Sequence, residues 1–196
     1  MKYGFSPTRW KQGTDVMILK APNVFFLDKL RTIVLYEADF NHENRRVGKQ
    51  GMTMALQQDQ IAPEQFSRPG RSAQDNALGK RLVFDHFRYL KRPFAMCSCD
   101  LKSCYDRVVH AAASLALQRV GVPPMALQCM FRTIQDLIHC VRTAYGQSKQ
   151  TYGGLSQDYL CKPQGLGQGN GAGPTIWSIL SSTVFDSLTT QGYSTT

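Results

Sequence analysis

The chain has no run of eighteen apolar residues, the length that a membrane-spanning helix needs, so no such helix is expected. A secretory leader is missing too. MKYGFSPTRWKQGTD contains no apolar stretch followed by a small-residue cleavage site, which favours an intracellular protein, nuclear or cytoplasmic. No H-x₃₋₅-H occurs, and the six cysteines, at 97, 99, 104, 129, 140 and 161, offer one C-x-C pair but no zinc-like spacing. They read as reduced thiols and small buried residues. Acidic side chains are scarce, 14 against 23 Lys and Arg, for a net charge of +9. Residues 1–92 hold 16 of the basic and 9 of the acidic residues, net +7, so the excess is concentrated in the first half. That asymmetry suits a polyanionic partner, and equally a solvated basic surface. Internal repeats and low-complexity tracts are absent.

At 196 residues, 42% of them hydrophobic, the chain is long enough for one substantial core or two small lobes. DVMILK (15–20) and KLRTIVLYEADF (29–40) are β-rich runs separated by a loop with Pro22 and Asn23, which predicts a long hairpin. Residues 40–60 suit a helix, weakened by Gly48 and Gly51. Ser72 and Asp75 make a capping box for a helix carrying Leu78, Leu82, Val83, Phe87 and Leu90. Pro93 stops it, and FAMCSCD (94–100) has the composition of a short buried strand. Val108 to Val120 predicts a helix ended by Gly121 and Pro123–Pro124. Spacing of three and four from Leu127 to Tyr145 predicts another, with Met125 and Met130 in its core face. GQSKQTYGGLSQDYLCKPQG is a loop or short hairpin, and Pro174 suits the first turn of a last helix through Leu188. The four histidines are expected on the surface or in the core, with no chemical role.

Two places carry chemistry. Asp100 closes the apolar run, where alternation lets one carboxylate project into a cleft while its neighbours pack. Magnesium is held by such a supply: one or two carboxylates, a backbone carbonyl, water and substrate phosphates. Asp106 either assists there or caps the next helix, and an ordinary helix-start acid is the plainer account of Asp100. The second place is GLGQGNGAGP (165–174). Its GQGNGA fits a dinucleotide-binding pattern, but only 24 residues follow Ala172, and Asp186 falls inside the expected helix. No Gly-Lys-Ser/Thr follows either. What remains is a glycine loop at a helix start, able to bring backbone close to a base pair and phosphates.

FAMCSCDLKSCYDRV resembles the first catalytic motif of reverse transcriptases: an apolar strand, a metal-binding Asp, and an aromatic five residues later. LRTIVLYEADFN, IAPEQFSRPGRSAQDNAL and GLGQGNGAGPTIW are similar to further blocks of the non-LTR retrotransposon and group II intron branches, in the same order. The resemblance implies an α+β fold: right-hand polymerase fingers and partial palm, with helices packed on a small, mostly antiparallel sheet. Residues 1–92 would be fingers-like and 93–196 a partial palm. Within the palm, the first motif lies near 94–109, a helical fingers-like segment at about 122–160, and the Gln-Gly motif near 164–180. The activity implied is two-metal extension of a DNA primer with deoxynucleoside triphosphates on an RNA template.

In that family the carboxylate of Asp100, with the carbonyl of Leu101, would hold Mg²⁺, and Tyr105 would exclude a ribose 2′-hydroxyl. Gln168 and Gly169 would contact template and nucleotide, Arg31 the triphosphate, and Arg68 and Arg71 strand phosphates; Asp106 and Gln164 are possible accessories. The pattern departs from the family at several points. Gly173–Pro174 replaces Ser-Pro, and the glycine usual before the aromatic is missing at Gln65–Phe66. Of two Gln-Gly pairs, the spacing to Pro174 favours Gln168 over Gln164. The family's paired-aspartate motif and thumb are not found, so a truncated chain, inactive or nearly so alone, is expected. The alternatives are a non-catalytic nucleic-acid-binding remnant, an RNA-dependent RNA polymerase fragment, and an unrelated enzyme using the glycine loop for a nucleotide cofactor. No membrane or protein partner is implied.

Overall fold

The basic N-terminal runs pair as the hairpin their composition predicts. In the computed structural model, which describes residues 4–23, 26, 29–98, 100–154 and 163–193, β1 (Gln12–Leu19) lies antiparallel to β2 (Leu30–Tyr36). Asp15 stands opposite Val34 in that register. β3 (Ile138–Thr143) joins β1 in parallel, and β4 (Gly146–Gly153) returns antiparallel to β3, giving the order β2-β1-β3-β4. The sheet is therefore mixed, and the protein α+β. Because β1 and β3 run parallel, the chain between them must cross over, and four helices fill that crossover.

The first is α1 (Ala38–Gln57), whose N-terminus is capped by the Glu37 carboxylate accepting from the amides of Asp39 and Phe40. Its inward face carries Phe40, Val47, Met52 and Ala55 at helical spacing, with Gly48 and Gly51 among them. Those two glycines, unfavourable by propensity, are explained by packing. A Cβ on Gly48 would lie 2.9 Å from the Ala172 Cα, and one on Gly51 3.3 Å from a Val122 methyl. They let α1 approach the glycine loop and the segment at Val122 more closely than any other residue allows.

α2 (Ala73–Tyr89) starts at the expected capping box, in which Ser72 Oγ accepts from the Asp75 amide and the Asp75 carboxylate accepts from the Ser72 amide. It buries no residue, and Leu78 and Leu82 stay about 60% exposed. Without packing, its first turn depends on the cap. Ser72→Ala is expected to cost about 1 kcal/mol locally, read as roughly fivefold faster hydrogen exchange at the Asp75 and Asn76 amides with the global unfolding midpoint unmoved.

α3 (His110–Arg119) ends as predicted, with Gly121 at φ +97° just beyond it. α4 (Pro124–Gln135) and α5 (Gly173–Thr190) both begin with proline in the first turn. Phe40, Leu117, Leu127, Met130, Leu166 and Ile176 are fully buried where α1, α3, α4, α5 and the glycine loop meet. Each contributes about 1.5–3 kcal/mol by leaving water. Both the sheet and this core draw residues from each side of residue 92.

Four expectations are corrected. The run 94–100 is not a buried strand: residues 94–98 and 100 are exposed and pair with no strand among the described residues. One sheet edge is closed to it, because the Val34 amide on β2 donates to the Gln168 carbonyl at 2.7 Å. The helix from Leu127 stops at Gln135 rather than Tyr145; Ile138 and Val141 sit in β3, where β-branched side chains fit a pleated surface. Met125 is 46% exposed, while Met130 is core. Among the described cysteines, Cys129 is buried but Cys97 is exposed; Cys99 and Cys161 lie outside the described residues. The open choice for 146–165 resolves as the β3–β4 hairpin up to Gly154, residues 155–162 lying outside the described residues.

Candidate functional site

The glycine loop is placed by contacts from three directions, all of them with protein. Gly165 has φ +91°, and a Cβ there would lie 2.7 Å from the Asp106 carbonyl oxygen. A Cβ on Gly167 would overlap the Tyr36 hydroxyl, and one on Gly169 the Val34 carbonyl. A Cβ on Gly171 would lie 2.9–3.0 Å from Arg45 and Asn41 on α1. The Asn41 amide nitrogen donates to the Gly169 carbonyl at 3.0 Å, and its oxygen accepts from the Gly171 amide at 2.7 Å. The loop thus threads between β2, α1 and the segment around Asp106, and the glycines are required by that fit.

His110, given no role from sequence, is a principal anchor of the loop. Its ring is buried, stacks on Phe131 at 4.8 Å, and donates from Nε2 to the Gly165 carbonyl at 2.6 Å. Nδ1 then accepts from the Gln135 amide at 3.0 Å, which fixes the neutral tautomer. Burial pushes the imidazole below its ordinary range, partly opposed by the bond to Gly165. Gln164 Oε1 accepts from the His110 amide at 2.8 Å, so this glutamine serves the first turn of α3. A histidine directly before an apolar helical stretch was the only trace of this in the sequence, and Asn41 left none.

Tyr105 opens a short 3₁₀ turn, Tyr105–Arg107, that lies against the loop. Its carbonyl accepts from the Leu166 amide at 2.9 Å, and the Val108 carbonyl from the Gly165 amide at 2.9 Å. The Tyr105 ring is half-buried, edge-on to Trp177 at 6.4 Å and next to Gly173 at the start of α5. Burial, then the nearby Cys104, raises its hydroxyl pKa. Tyr36, donating to the Leu166 carbonyl at 2.8 Å, is raised further, by burial first and then by the charges of Asp15 and Asp106. Asp106 is itself raised by burial, with Lys20 pulling the other way. It does not cap α3, whose N-cap is Val109.

Of the predicted site residues, Tyr105, Gln168, Gly169 and Gln164 converge here, and Arg31 lies exposed on the neighbouring β2. Gln168 is half-buried and contributes its backbone carbonyl to β2. Arg68 and Arg71 lie apart, in a groove between α1 and the start of α5. Asp100 and Leu101 are exposed on the irregular segment before Tyr105. No three His, Cys, Asp or Glu side chains among the described residues gather as metal ligands. Asp100 and Leu101 do not by themselves make a two-metal site.

The fold and site together define an α+β protein whose glycine loop is clamped between the β2 edge of a mixed sheet, α1 and the turn at Tyr105. No protein-family model matches the chain, and no curated protein is similar to it. Among the described residues no helix is long and apolar enough to cross a membrane.

Proposed function

We propose that the chain is the fingers and partial palm of a reverse transcriptase, the part that positions an incoming deoxynucleotide on an RNA template. What supports this reading is a convergence. β2, the turn at Tyr105 and the Gln168–Gly169 loop are remote in sequence, each resembles a separate block of that family, and they pack against one another. On this reading Tyr105 bounds the sugar, Gln168 and Gly169 face the template side, and Arg31 meets the triphosphate. Asp100 and the Leu101 carbonyl would hold Mg²⁺, which would screen the charge of the triphosphate oxygens. Phosphate contacts by arginine position the strand without reading its sequence.

The test is nucleotide selection. With an RNA template annealed to a DNA primer, the complementary deoxynucleoside triphosphate is expected to slow dissociation of the protein, and the matching ribonucleotide to do so at least tenfold less. In Tyr105→Ala the two nucleotides should become equivalent, while Tyr105→Phe should preserve the distinction. Equal response of the unaltered protein to complementary and non-complementary nucleotides would sink the proposal. With only one carboxylate at the exposed segment, primer extension by this chain alone is expected to be slight.

A further inference from the structure

Arg68 and Arg71 do not stand as isolated surface charges. They border an open groove of about 530 Å³ between α1, the 66–71 loop and the first turn of α5. Met52, Leu56 and Pro174 give it an apolar floor, and Lys49, Arg68 and Arg71 a cationic rim. No carboxylate lines it. The Arg71 guanidinium sits over the Phe66 ring, 5.5 Å from its centroid, and makes a flat cationic platform on a half-buried aromatic. Arg68 is steadied by its bond to the Pro63 carbonyl at 3.4 Å. Lys49 and Arg71 make no salt bridge with any described residue.

These features together select a ligand class. An apolar ligand would leave three cations uncompensated, and a compact anion such as free phosphate would leave the apolar floor unused. A chain that alternates phosphates with flat aromatic faces satisfies both, and a groove open to solvent lets it enter and leave. Base faces are available only in a single strand. We propose that this groove binds single-stranded nucleic acid, one base stacking on the Phe66–Arg71 platform while flanking phosphates meet Lys49 and Arg68. The proposal rests on the reading of the chain as a nucleic-acid-handling polymerase fragment, and it adds Phe66 and Lys49 to the contacts.

Fluorescence anisotropy of a labelled ten-residue oligouridylate with the full chain tests it, with inorganic polyphosphate as a charge-only competitor. Phe66→Leu keeps the apolar bulk and removes the π-face; Arg71→Ala changes an exposed side chain, so the fold is retained. Each is expected to weaken oligouridylate binding roughly 5- to 150-fold, the usual effect of losing one stacked base. Lys49→Ala should instead flatten the dependence of log K on log salt by about 0.7, one phosphate's share on a single strand. Lys149→Ala, on the exposed β4, should do neither. Polyphosphate should compete equally well against the unaltered protein and Phe66→Leu.

Oligouridylate binding unchanged in both Phe66→Leu and Arg71→Ala would overturn the groove assignment. So would a Phe66→Leu loss matched by an equal loss of polyphosphate binding, since the groove would then read charge alone. If those variants bind normally while Tyr105→Ala still abolishes nucleotide selection, the groove is wrong and the polymerase reading stands. The opposite pattern keeps the groove and removes the polymerase reading, and an unaltered chain that binds no oligouridylate removes both.

Discussion

Gly169→Ala is expected to lower the unfolding free energy by about 2–5 kcal/mol, seen as a large drop in the urea midpoint with little change in slope. Two costs combine. Gly169 has φ +128°, where an L-residue is strained by about 1–3 kcal/mol. The added methyl would also overlap the Val34 carbonyl, and relief requires the loop to leave β2. That movement breaks the bond from the Val34 amide to the Gln168 carbonyl and leaves a buried residue's amide without its partner. Gly192→Ala separates the two costs. Gly192 also has positive φ, +84°, but a Cβ there meets nothing within 4 Å, so only the backbone strain of about 1 kcal/mol should appear. If the two variants lose the same stability, the steric account of the loop is wrong. A total of 5–15 kcal/mol is typical for a domain, so the Gly169 variant should be close to unfolding at 37 °C.

That comparison shows what the sequence could and could not convey about the loop. Five glycines before a proline announce close backbone approach, but not to what. A nucleic acid was the natural candidate, whereas the approach that the structure displays is to Val34, Tyr36, Asp106 and Asn41. Those partners are about 60 to 135 residues away in the chain, and no local pattern encodes such a meeting. Features written in short-range chemistry were legible. The Ser72–Asp75 box, the Gly121 stop and the proline opening α5 lie where composition puts them. The errors fall where one pattern permits two outcomes. Ile138 and Val141 continue a helical spacing and are also β-branched, and pairing with β1 decides for strand. FAMCSCD has a strand's composition, yet a strand exists only through a neighbour, and among the described residues none pairs with it. The candidate site was half legible for the same reason: Tyr105 and Gln168 stand out through the resemblance of their motifs, while His110 and Asn41, which hold their loop, do so only through contacts.

Asp15→Ala should be as damaging as the glycine substitution, for an electrostatic reason. Asp15 lies on β1 at 1% exposure, inside the sheet face that meets the core. His139 Nδ1 on β3 donates to Asp15 Oδ1 at 3.1 Å, and the Tyr152 hydroxyl on β4 donates to Oδ2. The two rings stack at 4.9 Å, nearly parallel, so one carboxylate ties three strands together. Removing it leaves His139 and the partly exposed Tyr152 without their buried acceptor, a change of at most about 3–5 kcal/mol, the figure for buried pairs. Asp15→Asn keeps the shape but loses the charge and should cost less, about 1–3 kcal/mol. The pH dependence identifies the mechanism. Burial alone would raise the Asp15 carboxyl, but the bonds from His139 and Tyr152, with the His139 charge, more than offset that and hold it below the ordinary 3.8. A carboxyl depressed by folding contributes stability that is complete above its unfolded value and is lost as pH falls through the folded one. Urea titrations from pH 7 down to about 2 should therefore show a fall below about pH 4 that is shallower in Asp15→Asn. An identical acid limb in both proteins would mean that Asp15 is neutral in the native sheet, and the charge-based account of how β1, β3 and β4 are held would fail with it.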